Sequence, residues 1–435
     1  MKTDRRLLAA AALAAVVALS STAARAEDPP PTPPAQTSTA PTASTPAPKP
    51  ETSGQADDAN SLIETARPRP AGLLKRGPVS LIDPVLDDLN ARLKKSLGLE
   101  FGLAYTAVYQ DPTDGSIDDA MGGDIDVFAR WRLLGAENSG SRGVLGVYGE
   151  NRHEYTDDMP RDLAATYGSL WRTTNNFGLQ KWAMTQVWWE QHLLDDRVVG
   201  TAGKLDPTNY FNTHRYQNDA TAFLSQAFSG NPARAFPGNG LGANAKVNIG
   251  KTAYASAGFQ DANGDKLTSG LHSIDEGEFW YALEGGWTPN LERFGKGAYR
   301  LTLWSVEERD DAGVPSDRGI AINAEQEIGQ GLVPFARIAW SDGDATGVDR
   351  FACAGLGLEG VVGTKEDLFG VGLSYGEPDG AGPDSQWGGE VFHRFQLSPD
   401  VQLTIGYQYV HSPSFDNVDG NDPVGVFELR VRIQF

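Results

Sequence analysis

Fifty-seven carboxylates, 37 lysines and arginines and six histidines give this chain ample material for acid–base, metal and nucleophilic chemistry, but their spacing does not assemble any of it. HEYTD (His153–Asp157) is not the H-E-x-x-H of a helical zinc site, and no G-x-S-x-G elbow occurs. GLGLEG (Gly355–Gly360) has the letters of a dinucleotide fingerprint, yet it lies in a strand-like run with no helix after it. DANGD (Asp261–Asp265) begins like a calcium loop, but Lys266 stands where the turn needs Gly and His272 where the bidentate Glu belongs. Paired acids such as Glu307 with Glu308, or Glu325 with Glu327, say nothing about the carboxylate separation that glycoside cleavage needs. The expectation is therefore no enzyme, no metal and no cofactor.

The charges instead follow a period of two. In the last stretch, Phe427, Leu429, Val431, Ile433 and Phe435 share one parity, while Glu428, Arg430, Arg432 and Gln434 share the other. The pattern begins just after Gly98. Leu99, Phe101, Leu103, Tyr105, Ala107 and Tyr109 alternate with small or polar residues, and Ile125, Val127, Ala129, Trp131 and Leu133 alternate with Asp124, Asp126, Phe128, Arg130 and Arg132. It returns at Phe279–Trp287, Tyr299–Trp304 and Val401–Tyr409. Connections such as DPTDGSIDDAMGG and SPSFDNVDGNDP read as turns and surface loops. No helical period separates the strands, so the ladder is expected to be antiparallel.

Upstream, residues 1–26 combine Lys2, Arg5 and Arg6 with an apolar run from Leu7 to Leu19 and a small-residue end at Ala24-Arg25-Ala26, the pattern of a signal peptide cut after Ala26. Residues 27–82 are rich in Pro, Ser and Thr and are expected to form a disordered periplasmic segment. A short helix is expected over 83–97: Pro84 at its first position, Val85, Leu86, Leu89 and Leu93 on one stripe, Lys94 and Lys95 late, and Gly98 as terminator. The formal charge of -20 repels nucleic acid, and a single cysteine, Cys353, allows no internal disulfide.

A β-sandwich also alternates, so the apolar face meets either a protein core or lipid. Segments of about ten residues suit a tilted membrane strand. The Tyr and Trp residues near the ends of the apolar faces suit an interfacial belt, and the charged opposite faces suit a wet lumen. Over 98–435, at roughly 20 residues per strand with its share of loop, this predicts an all-β transmembrane antiparallel barrel of 16 strands within a range of 16–18.

The blocks VWWEQHL (Val187–Leu193), GKLDPTNYF (Gly203–Phe211), FPGNGLGA (Phe236–Ala243), LFGVGLSYGEP (Leu368–Pro378), EVFHRFQLSPDVQLT (Glu390–Thr404) and the terminal VFELRVRIQF resemble the OprB-type carbohydrate-selective porin family of Gram-negative outer membranes. The resemblance implies passive diffusion of neutral sugars through a 16-stranded barrel in outer-membrane lipid, assembly as a homotrimer, and Phe435 as the mark read by the barrel-assembly machinery. It supplies Trp188, Glu190, Lys204, Asp206, Glu390 and Arg394 as lining candidates. Parity adds Arg300 and Gln396, with Trp304 beside Trp188 as a stacking surface. For each, a solvated or ion-paired wall residue is the bland alternative, and Lys204 with Asp206 fits an ion pair stiffening a turn. The other functions to weigh are a general size-selective porin and an exported protein that binds or hydrolyses polysaccharide.

Overall fold

The computed structural model describes residues 72–75, 77, 83–137, 139–329, 331–342, 345–360, 363–380, 385–414 and 423–435. The leader and nearly all of the Pro-rich segment lie outside them. A helix α1 (Asp83–Leu97) is followed by sixteen long strands. The first eight are β1 (Leu99–Pro112), β2 (Ala120–Leu134), β3 (Arg142–Glu154), β4 (Gln180–Leu193), β5 (Val198–Leu205), β6 (Gly240–Ile249), β7 (Ala253–Asp261) and β8 (Phe279–Trp287). The second eight are β9 (Gly295–Val306), β10 (Asp317–Gln326), β11 (Leu332–Ser341), β12 (Val348–Glu359), β13 (Leu368–Pro378), β14 (Gln386–Ser398), β15 (Val401–His411) and β16 (Val424–Gln434). A two-residue ladder at Asn290–Leu291 braces the start of β9.

Every long strand pairs antiparallel with its sequence neighbours, and β1 pairs with β16 from Ala104↔Gln434 to Pro112↔Val426. The barrel is closed, so no strand edge faces lipid, where each unpaired backbone group would cost several kcal/mol. The C-terminal residue belongs to this seam: the Phe435 N–H donates to Leu103 O at 2.9 Å.

Burial is inverted relative to a soluble sheet. Thr106, Gln110, Glu284, Arg300, Glu428, Arg430 and Arg432 are buried inside the wall, while Leu283, Leu301, Leu303, Ile405, Tyr407 and Phe427 are exposed outside it. That distribution is stable only if the outer solvent is hydrocarbon. No described helix is long and apolar enough to cross a membrane, so any crossing is made by strands.

The two ends differ. At the end carrying α1 and Phe435 the connections are short, with three residues at 250–252 and two at 399–400. At the other end lie the loops L1 (113–119), L2 (155–179), L3 (206–239) and L4 (262–278). Gly98, at φ +71°, turns the chain from α1 into β1, where a side chain would meet the Arg132 carbonyl.

Candidate functional site

L3 does not lie on the surface. Phe211, Tyr216, Phe223, Leu224 and Phe228 are buried, and Phe223 packs on Phe228, Phe335 and Phe392 at centroid distances of 4.8, 5.5 and 4.9 Å. A segment this apolar must leave water, and inside a closed barrel the space open to it is the lumen.

Polar staples from β8 to β16 fix the loop. Glu284 accepts from the Asn212 N–H at 2.6 Å, from Tyr254 Oη at 2.7 Å and from Thr302 Oγ1 at 2.6 Å. Arg337 donates to Phe228 O at 3.0 Å, to Gly230 O, to Asn212 Oδ1 at 3.0 Å and to Asn323 Oδ1 at 3.1 Å. The Asn323 amide donates to the carbonyls of Asn212 and Thr213, both at 3.0 Å. Asn212 itself adopts φ +56°, in the left-handed region that Asn tolerates better than most residues. Glu359 takes the Arg215 guanidinium and the Tyr216 hydroxyl, the latter at 3.0 Å. The His214 ring accepts the Tyr216 N–H at Nδ1 and donates from Nε2 to Phe228 O at 2.6 Å, which defines a neutral tautomer. Burial, reinforced by the Arg337 charge, holds its pKa well below the ordinary 6.5.

L2 docks on L3. The Asp219 carboxylate accepts from Thr174 Oγ1, Asn176 N and Asn176 Nδ2 at 3.1, 2.8 and 2.8 Å. Arg430 holds the same turn from below by donating to Asp219 O at 2.6 Å.

Between the loops and the facing wall remains a narrow polar cleft open to solvent. It is bordered by Glu150 on β3, Gln186 on β4, Asn176 on L2, Asp206 and Arg234 on L3 and Lys266 on L4, among others. Behind it, Asp124, Asp126 and Glu150 bring carboxylate oxygens within 4.8 Å of one another. Arg152 bridges two of them, at 3.0 Å to Asp124 and 2.7 Å to Glu150, while Arg432 approaches Asp126 and Lys266 approaches Glu150, each at 3.8 Å. Three cations thus meet three anions, which makes a wall network of ion pairs rather than a vacancy for a metal.

The residues singled out in the sequence all sit on the inner wall or at its rim, but their neighbours differ. Asp206 borders the cleft and caps a 3₁₀ turn, accepting from Thr208 N at 2.9 Å and Thr208 Oγ1 at 2.7 Å. Lys204 donates to the carbonyls of Met184, Lys266 and Thr268, the first two at 3.3 and 2.8 Å, so it pins L4 rather than pairing with Asp206. Glu390 accepts the N–H groups of Leu224 and Ser225 on L3, both at 2.8 Å, and Arg394 donates to Thr221 O at 2.8 Å. Glu190 binds Arg130 at 2.9 Å and His192 at 2.5 Å, and Arg300 binds Glu325 at 3.1 Å. Gln396 closes the turn at the terminal end by donating to Ser398 O at 2.7 Å. Trp188 lies against Phe128 and over Gly146, where any Cβ would overlap the indole. Trp304 is covered by Phe236 of L3, 6.5 Å between centroids.

Sequence reasoning missed Asn212, His214, Asn323, Arg337 and Glu359 as loop anchors, and L3 as the element that fills the lumen. The available signal was the density of Phe and Tyr through 206–239 with no strand period.

A closed 16-stranded barrel with apolar residues outside, charges inside and a loop narrowing its lumen defines a diffusion channel of the porin class. A family model described as "Carbohydrate-selective porin, OprB family" matches residues 141–435, and the chain belongs to that family. Family and fold together point to a channel protein of the outer membrane. Its fold is similar to the high-pH structure of Pseudomonas putida OprB, with a TM-score of 0.65 at 18% identity, covering 79% of this chain and 96% of that one. The low-pH structure of the same protein gives a TM-score of 0.53 at 15% identity, covering 79% and 95%. Among curated relatives, a porin named AaxA from Chlamydia muridarum is 24% identical over 220 residues, 49% of this chain and 47% of the relative. The AaxA porin of Chlamydia pneumoniae is 25% identical over 211 residues, 45% and 47%. The chain thus spans about half the length of the curated relatives it matches.

Proposed function

We propose that this chain carries small neutral carbohydrates, mono- and oligosaccharides, across the outer membrane by passive diffusion through the cleft beside L3. The observation that carries this reading is the lining of the cleft, where the amides of Gln186 and Asn176 stand with the charges of Glu150, Asp206, Arg234 and Lys266. Sugar hydroxyls both donate and accept, so a wall offering amides and both signs of charge satisfies them without requiring a charged solute.

In this reading Asp206 meets the permeant directly. Trp188, Glu190, Lys204, Arg300, Trp304, Glu390, Arg394 and Gln396 act one layer back by holding loops and wall in place. The long loops face the cell exterior, the end with α1 faces the periplasm, the leader is removed after Ala26, the assembly machinery reads Phe435, and the barrel assembles as a homotrimer.

Liposome swelling with the purified chain tests the reading, using neutral mono-, di- and trisaccharides beside an amino acid and a sugar acid of similar size. Sugars are expected to enter faster than charged solutes of equal size. Rates ordered by size alone would make the chain a general size-selective porin. No swelling by any solute would return attention to a polysaccharide-binding role.

A further inference from the structure

We propose that α1 is an interfacial lipid-binding helix whose apolar flank sits in the phospholipid interface around the terminal end of the barrel. The inference rests on the barrel lying in a membrane. It concerns a segment outside the part matched to the family.

The stagger of the closing ladder leaves the first residues of β1 without a strand on the β16 side, because pairing with β16 begins only at Ala104. α1 takes that place. The Asn90 side chain copies a strand partner: its amide donates to Phe101 O at 3.0 Å and its oxygen accepts the Phe101 N–H at 3.1 Å. An edge that would otherwise be open in or near lipid is covered in this way.

Two further contacts fix which way the helix is turned. Lys94 pairs at 2.9 Å with Glu100, a residue of the lumen-facing parity, so the flank carrying Lys94 faces inward. The Leu97 carbonyl accepts from the indole N–H of Trp131, which points outward, so the flank ending at Leu97 faces the outside. Leu86, Leu89, Leu93 and Leu97 follow helical spacing along this outer flank, with Val85 at its margin. Val85, Leu89 and Leu97 are 65, 44 and 54% exposed, as are the outward Trp131, which meets the helix at Leu97, and Leu133 on the same face of β2.

The apolar outer face of the barrel therefore meets the helix's apolar flank at Trp131 and Leu97. A polar residue row separates that stripe from the lumen. An amphipathic helix with one flank continuous with a lipid-facing wall is matched by the headgroup–acyl boundary, where Trp side chains also concentrate.

The test uses the full chain with Cys353→Ala, since the native thiol is buried, and single labels at Leu89→Cys, Asp88→Cys and Leu373→Cys. The protein is reconstituted in phosphatidylcholine–phosphatidylglycerol vesicles carrying nitroxide-labelled lipid. Labels at 89 and at 373, on the outer face of β13, are expected to be quenched by the lipid nitroxide, and the label at 88 by aqueous iodide. A label at 89 that behaves like the one at 88 while 373 sees lipid overturns the proposal. Failure at 373 as well overturns the membrane placement itself. Disulfide-linked dimers through position 89 would show that a second copy covers the stripe and would also overturn it. As a second measurement, Val85→Asp with Leu89→Asp is expected to speed trypsin cleavage at Arg92, Lys94 or Lys95 about tenfold, through loss of apolar burial. An unchanged rate, with heat-resistant barrel migration confirming the fold, counts against it.

Discussion

The two halves of the lumen use the same residue types for opposite ends. From β8 to β16, Glu284, Arg337, Glu359, Glu390, Arg394 and Arg430 turn their charges onto the backbone of L3 or onto its side chains. Along β2 and β3, the carboxylates of Asp124, Asp126 and Glu150 are paired by Arg152, Arg432 and Lys266 and leave a polar surface beside the cleft. One half is a clamp and the other is a lining. A charge in a barrel lumen thus carries no single meaning, and what decides it is whether a loop carbonyl or N–H lies within reach.

The largest effect expected from breaking this contrast is at the clamp. Arg337→Ala removes the donors to Phe228, Gly230 and Asn212; Phe228 O keeps His214 and Asn212 Oδ1 keeps Asn231 and Arg234, while the buried Gly230 carbonyl loses its Arg337 donor, at about 1–3 kcal/mol, and the loop loses the cation that ties these groups to β11. L3 should leave its seat, raising single-channel conductance and abolishing discrimination among sugars by size. The barrel itself, closed by its own ladders, should keep its heat-resistant migration on an unboiled gel. Conductance equal to that of the native chain would show that L3 stays without this anchor.

Phe223→Ala tests the apolar side of the same clamp. The ring is fully buried among Phe228, Phe335 and Phe392, and truncation of such a core aromatic costs about 3–5 kcal/mol. The loop remains tethered by its polar staples, so the expected result is a noisier open-channel current and faster proteolysis within L3, with mean conductance less altered than in Arg337→Ala.

How much of this was legible in the sequence divides along the same line. The strands were legible because each side chain of a barrel strand must choose between lipid and lumen, which imposes period two on Phe427–Gln434 and its counterparts. That period also put Arg300, Gln396 and Arg430 on the inner wall. It carries no information about what lies across the lumen. Glu390 and Arg394 read as lining through the resemblance of the EVFHR block to the porin family, and only the position of Leu224, Ser225 and Thr221 turns them into anchors. The inward path of L3 was written in another signal, Phe211, Tyr216, Phe223, Phe228 and Phe236 in a segment without alternation. The Asn, Gly and Pro residues around them gave it the composition of a surface loop.

The lining half should respond in selectivity rather than in structure. Lys266 lies 3.8 Å from Glu150 and borders the cleft. Lys266→Gln leaves the Glu150 carboxylate with one fewer cation facing the permeant. Reversal potentials across a salt gradient should shift toward cation preference, with conductance changed less than by either clamp variant. A shift toward anions would contradict the assignment of Glu150 and Lys266 to the lining.

The smallest effect expected is a pH dependence of the clamp through His214. Docked, the ring is neutral, donates to Phe228 O and lies among Arg337, Arg300 and Arg234, all of which disfavour a second proton. Released into water, it titrates near its ordinary value of about 6.5. The released loop therefore binds more protons than the docked one at mildly acidic pH. The contribution of His214 to docking is complete above about pH 6.5 and declines as pH falls below it. Trypsin cleavage within L3, at Arg215 or Arg234, should accelerate between pH 7.5 and 5.5 after correction for the enzyme's own pH profile. His214→Gln keeps a polar group at the site but has no titrating proton, so its cleavage rate should vary less over that range. An equal acceleration in both proteins would assign the pH response to groups other than His214 and would leave His214 a packing residue only.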